Sequence, residues 1–392
     1  MARKILIILI SFVCVSLLFT EGYSQEQKPI LIGTSISQTG GFARTARGQL
    51  RSFTLFAEQI NKAGGLLGRP IKLIIYDDQS KETVAVSLYR KLIYEDKVDF
   101  LLAPMGSGPT AAIVPIVEQA KLPCVAPQAG DPRIWEVKRE WNVQVLANMA
   151  EYFREGIDVA VTEMGAKTIG FVYLDSAMQV SAVRESKKQI AEKYPNIKIV
   201  LEERFPIALE DYTSLLSKAK AANADALFGG GYIQQSMEVA KAVKSVGYRP
   251  KVLDLFFAPD PLFNQGLGET AEGVMTPSGW EIGMPTPGSN EFTKAYQERW
   301  DEEPYYDMAA CYGAFQLLTE AIKKVGSLNK EAVRDYLFKV KTQTLYGDYG
   351  VNENGAQVAK KMLTVQWQGG KKKIIMHKNL RTAAPIPLWG TK

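Results

Sequence analysis

From residue 30 onward, short unbroken apolar runs alternate with longer stretches in which apolar residues return every three or four positions. The first pattern reads as strands buried on both faces, and the second as helices with one inward face. Runs over 30–36, 71–77 and 98–103 predict strands. The stretches 46–63 and 81–95 predict helices, the first with Leu50, Phe53, Phe56, Ala57 and Ile60 inward. A helix over 148–165 opens a second series, with strands over 168–174, 197–203, 226–229 and 251–257 and helices over 179–193, 211–222 and 234–246. Such alternation predicts parallel sheets with right-handed crossovers, hence an α/β fold of two doubly wound parallel-sheet lobes. After Gly273 the tract 276–280 has turn composition. Helices are predicted over 291–300, 308–324 and 330–339, and the runs 362–367 and 373–376, split by Gly369 and Gly370, predict a terminal hairpin.

The stretch 101–132, LLAPMGSGPTAAIVPIVEQAKLPCVAPQAGDP, shows where a ligand would sit. An apolar run stops at Pro104. Gly106-Ser107-Gly108 then leads into a helix with Pro109 in its first turn and Ser107 as its expected N-cap. A hydroxyl, free backbone N–H groups and the positive end of a helix suit an anion such as a carboxylate, although an ordinary βα turn has the same composition. The buried run 122–126 ends in a second loop, Pro127 to Pro132. Two loops at neighbouring carboxyl ends of a parallel sheet are a candidate site, because ligands of open α/β sheets bind there.

Ahead of this fold, residues 1–24 read as a signal peptide: Arg3 and Lys4, an apolar core from Ile5 to Phe19, and the small-x-small run Gly22-Tyr23-Ser24 before Gln25. Cys14 lies inside the apolar core after Phe12-Val13, which argues against a lipoprotein. The expectation is therefore a chain exported to the periplasm and cleaved after about Ser24. The 392-residue length calls for two domains, and no later apolar segment is long enough to span a membrane. Loss of Arg3, Lys4 and Glu21 lowers the formal charge from +5 to about +4, too little and too dispersed for nucleic acid. Lys371-Lys372-Lys373 is expected to be a solvated hairpin end.

Catalytic and metal chemistries find little footing. His377 is the single histidine, in the Lys-rich terminal hairpin, so no Ser/His or Cys/His pair is available to the expected cleft, and no enzyme is expected. Cys124 and Cys311 remain after cleavage, both in apolar surroundings that suit buried free thiols. Gly229-Gly230-Gly231 lacks the Lys-Ser/Thr of a phosphate loop, and Asp77-Asp78 reads as a solvated turn before it reads as a metal site. Neither cofactor nor metal is expected.

The run GSGPTAAIVPIVEQAKLPCVAP resembles the type I periplasmic binding proteins of the leucine/isoleucine/valine-binding family, which serve ABC importers. INKAGGLLGRPIKLIIYDDQS at 60–80, ANADALFGGGY at 222–232, GETAEGVM at 268–275 and MAACYGAFQLLTEAIKK at 308–324 extend the resemblance over essentially the whole mature chain. It implies a three-crossing hinge, with lobe 1 made of 25–146 plus 280–351 and lobe 2 of 147–279 plus 352–392. It also implies a monomer that captures a small carboxylate and delivers it to an ABC permease and ATPase in the inner membrane. A sensor delivering the same ligand to a membrane receptor, or an adhesion module, is the alternative.

By the same resemblance Ser107, with Gly106 and Gly108, takes the ligand carboxylate, and Ala129 and Gly130 supply backbone acceptors, Gly130 standing where a hydroxyl is usual. The carboxylate that clamps an ammonium group maps near Phe256, with Asp254 and Asp260 the nearest acids. Met178 stands where an aromatic is common. Met178, Tyr232, Phe256 and Phe257 then form an apolar wall, against which an unpartnered ammonium would be costly to bury. The expected ligand is therefore a small carboxylate with an apolar or aromatic body, an α-amino acid or not. Phe42 and Arg44, at and after the first loop, are further candidate contacts. Tyr305, Tyr306, Tyr312 and Trp280 are expected in core or hinge packing.

Overall fold

The computed structural model describes residues 28–390, so the leader and its cleavage site lie outside the described residues. The first series is β1 (Ile30–Ile36), α1 (Ala43–Lys62), β2 (Ile71–Asp77), α2 (Glu82–Tyr94), β3 (Phe100–Leu102), α3 (Ser107–Ala120), β4 (Cys124–Ala126) and β5 (Asn142–Gln144). Its five strands form one parallel sheet in the order β2-β1-β3-β4-β5. β1, β3 and β4 are buried on both faces, as their unbroken apolar runs require, whereas β2 at the edge is half-buried along most of its length. β5 was not foreseen, because three residues carry no period.

The second series is α4 (Arg154–Thr162), β6 (Thr168–Leu174), α5 (Ala177–Lys193), β7 (Lys198–Phe205), α6 (Thr213–Ala221), β8 (Ala226–Gly230), α7 (Ile233–Ser245), β9 (Val252–Leu255), α8 (Pro261–Leu267) and β10 (Met275–Ser278). The helix expected over 148–165 is split. Asn148 caps a short 3-10 turn at Met149–Glu151, and α4 starts afresh at Arg154. The supposed turn at 276–280 is largely strand β10, fully buried and hydrogen-bonded to two neighbours. Its ladder to β9 is confined to Met275 opposite Asp254, and proline is tolerated where a strand loses one neighbour.

The chain then returns through α9 (Ser289–Trp300), α10 (Tyr306–Val325), α11 (Lys330–Lys339) and the ribbon β11 (Thr342–Thr344) and β12 (Gly347–Tyr349). It ends in the hairpin β13 (Leu363–Gln368) and β14 (Lys371–Met376), which extends the second sheet to β14-β13-β10-β9-β8-β6-β7. α10 packs on α1, with Phe315 against Phe53 and Phe56 at ring distances of 5.9 and 4.8 Å, so this segment belongs with the first sheet. The chain therefore passes between the sheets after β5, after β10 and after β12.

The first and third passages are stitched together. The Gln144 N–H donates to the Gly355 carbonyl at 2.9 Å, and Gln144 Oε1 accepts from the Gln357 N–H at 3.0 Å. The second is tied to the terminal hairpin by Glu281 and Lys372, whose buried charges meet at 2.8 Å. Lys372 is thus a structural cation, which corrects the reading of Lys371-Lys372-Lys373 as merely solvated. Cys124 and Cys311 are buried free thiols. Tyr305, Tyr306 and Trp280 are buried, and Tyr312 packs edge-on to Phe56 at 4.8 Å.

Candidate functional site

Carboxyl ends of strands from both sheets converge on a cavity of about 150 Å³ between the lobes. The first lobe supplies Phe42 after β1, Gly106, Ser107 and Gly108 at the start of α3, and Gln128 after β4. The second supplies Met178 in α5, Tyr232 after β8 and Phe257 after β9. Tyr152 lies on the hinge side, and Asp307 enters in the first turn of α10. A cavity of about this size holds a benzene ring when apolar, so the site takes a small solute.

Gly106 has φ +95°, a conformation that side chains with a Cβ avoid, and it turns the chain so that α3 begins at Ser107. The Ser107 and Gly108 N–H groups, the first of the helix, have no intrahelical acceptor. The Ser107 hydroxyl does not cap its own helix, contrary to the sequence expectation, because Gly106 occupies the cap position and Ser107 the first turn. Its oxygen instead accepts the N–H groups of Gly130 and Asp131, each at 3.2 Å. With both lone pairs engaged, the hydroxyl proton is what it can offer, so Ser107 is set to donate to an anion.

Asp131 links this corner to the opposite lobe. Its Oδ1 accepts the Ser181 hydroxyl of α5 at 2.9 Å in a buried bond, and Arg133 pairs with its Oδ2 at 2.6 Å. A second contact across the cleft is edge-on, Phe42 against Tyr232 at 5.5 Å, and Tyr232 in turn meets Phe257 at 5.3 Å. The lobes are therefore closed on each other.

The profile of the periplasmic binding protein family matches residues 29–372. This chain belongs to that family. A Leucine-, isoleucine-, valine-, threonine-, and alanine-binding protein of Pseudomonas aeruginosa is 24% identical over 349 residues, covering 85% of this chain and 88% of the relative. Among solved structures, a branched-chain amino acid transporter substrate binding protein of Streptococcus pneumoniae in complex with isoleucine superposes with a TM-score of 0.77 at 22% identity, covering 88% of this chain and 98% of that one. A solute binding protein of Rhodopseudomonas palustris in complex with 3,4-dihydroxy benzoic acid gives the same TM-score at 22% identity, over 88% and 95%. The two-lobed α/β fold is thus that of type I periplasmic binding proteins.

Within this binding-protein fold, the anticipated residues separate. Phe42, Gly106, Ser107, Gly108, Met178 and Tyr232 line the one cavity. Phe256 does not: it is fully buried and packs on Phe153 at 4.4 Å, while Phe257 takes the cavity side with φ +53°. The Phe256 N–H still bonds the Gly229 carbonyl, so Phe256 keeps the strand alternation and points inward with Asp254. Ala129 and Gly130 are buried behind Ser107, and their carbonyls already accept from Gln144 Nε2 at 2.9 Å and the Met149 N–H at 3.0 Å. Gly130 braces Ser107 through its N–H, and neither Ala129 nor Gly130 lines the cavity. A Cβ on Gly130 would come within 2.0 Å of the Met149 methyl, so a hydroxyl-bearing side chain there requires Met149 to move.

Arg44 lies elsewhere, on a larger cavity of about 640 Å³ shared with Arg47, Arg51, Asp260 and Glu302. Although larger, that cavity is the weaker candidate. Its charges are largely spent on one another, with Arg51 and Arg47 on Glu302 at 2.7 and 3.6 Å. Of the two acids weighed as clamps, Asp254 faces Gly156 in the core of the second lobe, where burial pushes its carboxyl well up. Asp260 caps α8 by accepting the Leu262 N–H at 2.9 Å. The acid that does reach the small cavity, Asp307, was missed because Tyr305-Tyr306-Asp307-Met308 reads as an ordinary acidic first turn. Asp77 and Asp78 brace the Phe42 loop, Asp78 accepting the Ser35 and Ser37 hydroxyls at 2.7 and 2.6 Å. Among the described residues no cluster of three or more His, Cys, Asp or Glu could hold a metal.

Proposed function

We propose that this chain is the solute-capturing component of an ABC importer and takes a small carboxylate with an apolar body between its lobes. One observation carries the reading: Ser107 and the open start of α3 share a cavity of about 150 Å³ with the apolar faces of Phe42, Met178, Tyr232 and Phe257. The carboxylate sits on the Ser107 hydroxyl and the adjacent N–H groups, where charge-assisted bonds are strongest. The body of the ligand lies on the aromatic and thioether wall. The ligands named for the relatives, aliphatic amino acids in one case and a hydroxylated benzoic acid in another, are all carboxylates and support this chemistry.

The lobes, 25–146 with 280–351 and 147–279 with 352–392, close by bending at the three passages, and the loaded form docks as a monomer on a permease coupled to an ATPase. The mature chain acts in the periplasm after cleavage near Ser24, and no helix among the described residues is long and apolar enough to cross a membrane. The role is binding without a catalytic step.

Thermal melts with leucine, isoleucine, valine, phenylalanine and benzoate test the reading, followed by calorimetric titration of any hit. A true ligand at a hundred times its Kd stabilises the fold by about 2.7 kcal/mol. Failure of all five to raise the Tm would overturn it.

A further inference from the structure

We propose that the hinge carries a second binding site, separate from the solute cleft, in which Lys360, with Lys361 and His377, holds one small inorganic oxyanion such as phosphate or sulfate. The site is a cavity of about 160 Å³ where the second and third passages meet. Thr286 lines it from the second passage, Gln343 and Asp348 from β11 and β12, Lys360 and Lys361 from the third passage, and His377 from the end of the terminal hairpin. It shares no lining residue with the cavity at Ser107. A cavity of about 150 Å³ holds a benzene ring, so this one has room for a tetrahedral anion.

Lys360 is what makes this corner a site. It is only 5% exposed, yet among the described residues its ammonium donates no hydrogen bond and enters no ion pair. The Tyr346 ring covers one side of it at 4.7 Å, and Gly347 leaves it space, since a Cβ there would stand 2.7 Å from the ammonium. A ring face attracts the charge but does not replace oxygen acceptors for three N–H donors. Burial pulls the ammonium down to about 8 against the charge of Asp348, so at pH 7 it keeps its proton. Asp348 is the one acid lining the cavity, and its Oδ1 is turned to Gln343, accepting from Nε2 at 3.0 Å. At the rim, Lys361 is exposed and pairs with Glu151 at 3.1 Å, and the half-buried His377 makes no side-chain hydrogen bond among the described residues. A buried cation without a partner is costly, and an anion with several acceptor oxygens is the group that satisfies it. Bound there, the anion joins the ribbon that follows α11 to the hairpin of the second sheet.

The test is calorimetric titration of the full mature chain with inorganic phosphate, and separately with sulfate, at pH 7 and an ionic strength held constant with sodium chloride, with thermal melts in parallel. The expected result is saturable binding of one anion per chain and a saturable rise in Tm. Lys360→Met should bind the anion about ten- to a hundredfold more weakly, as loss of a charge-assisted bond requires. Absence of saturable binding by the parent overturns the proposal, and so does parental affinity in Lys360→Met. A rise in Tm that never saturates and is equal in the variant is the general effect of an excluded salt, and it overturns the proposal too. Phosphate held at the Ser107 corner instead would be lost in Ser107→Val, and that loss overturns the hinge assignment. If Lys360→Met does not fold, the rim variant Lys361→Gln/His377→Gln decides: affinity should fall about threefold, and unchanged affinity overturns the assignment.

Discussion

At the residue scale, the site depends on what a hydroxyl has left to give. Ser107 accepts two backbone N–H bonds and so keeps its proton to donate, which is the basis of its proposed role. Ser107→Val keeps the volume but removes the donor and strands the Gly130 and Asp131 N–H groups. Calorimetry should show a loss of affinity of about 1.5–3 kcal/mol, with the secondary structure intact by circular dichroism. Unchanged affinity would take Ser107 out of the site.

A second residue of this kind is Lys360, which is buried with its ammonium 4.7 Å from the ring centre of Tyr346. Burial, only partly offset by Asp348, pulls its pKa down from 10.5 to about 8. Below pH 8 the lysine is charged in both the folded and unfolded chain, so the folded state carries the full burial penalty. Between about 8 and 10.5 the folded state releases the proton first, and the penalty fades as pH rises. Lys360→Met should therefore stabilise the protein by about 2 to 3 kcal/mol at pH 7, and paired melts should show the difference shrinking as pH climbs past 8. A pH-independent difference would contradict this account.

At the scale of elements, most of the architecture could be read from periodicity. β1, β2, β6 and α11 start and stop where the apolar pattern says, because each buries a continuous run or a single face. The misreadings have two causes. β5 is three residues long and β10 contains Pro277; each exists because a strand distant in sequence supplies its hydrogen bonds, whereas β11 and β12 pair with each other across Leu345-Tyr346 and are too short to show a period. The terminal hairpin shows the same dependence through Lys372, which looks solvated in sequence and is paired with Glu281 in the fold. Glu281→Ala leaves that cation buried alone and should lower stability by about 3 kcal/mol in denaturant titrations. The double variant Glu281→Ala/Lys372→Met should recover most of the loss, and a loss that persists would locate the effect in packing.

At the scale of the whole molecule, ligand capture is a change in how two sheets meet. Asp131 bonds Ser107 through its backbone N–H and Ser181 through its carboxylate, so the corner proposed to take the carboxylate also holds the opposite lobe. Ser181→Ala touches no ligand, yet it should weaken binding about tenfold by destabilising the closed form, since hydrogen bonds to charged groups contribute about 1.5–3 kcal/mol. Small-angle scattering should then find the loaded variant more expanded than the loaded parent. Equal affinity and equal dimensions would show that closure does not run through this bond.

The local grammar of the chain was enough to specify two α/β lobes, the helix start at Gly106-Ser107-Gly108 and its suitability for an anion, because strand burial, helix faces and glycine turns are written in neighbouring residues. It could not specify which far-apart side chains share the cleft. Asp307, the exchange of Phe257 for Phe256, and the engagement of Ala129 and Gly130 behind Ser107 follow from a helix that returns from the second passage and from a strand that ends one residue before a left-handed turn. Those are long-range placements set by packing between the lobes, and only the folded chain contains them.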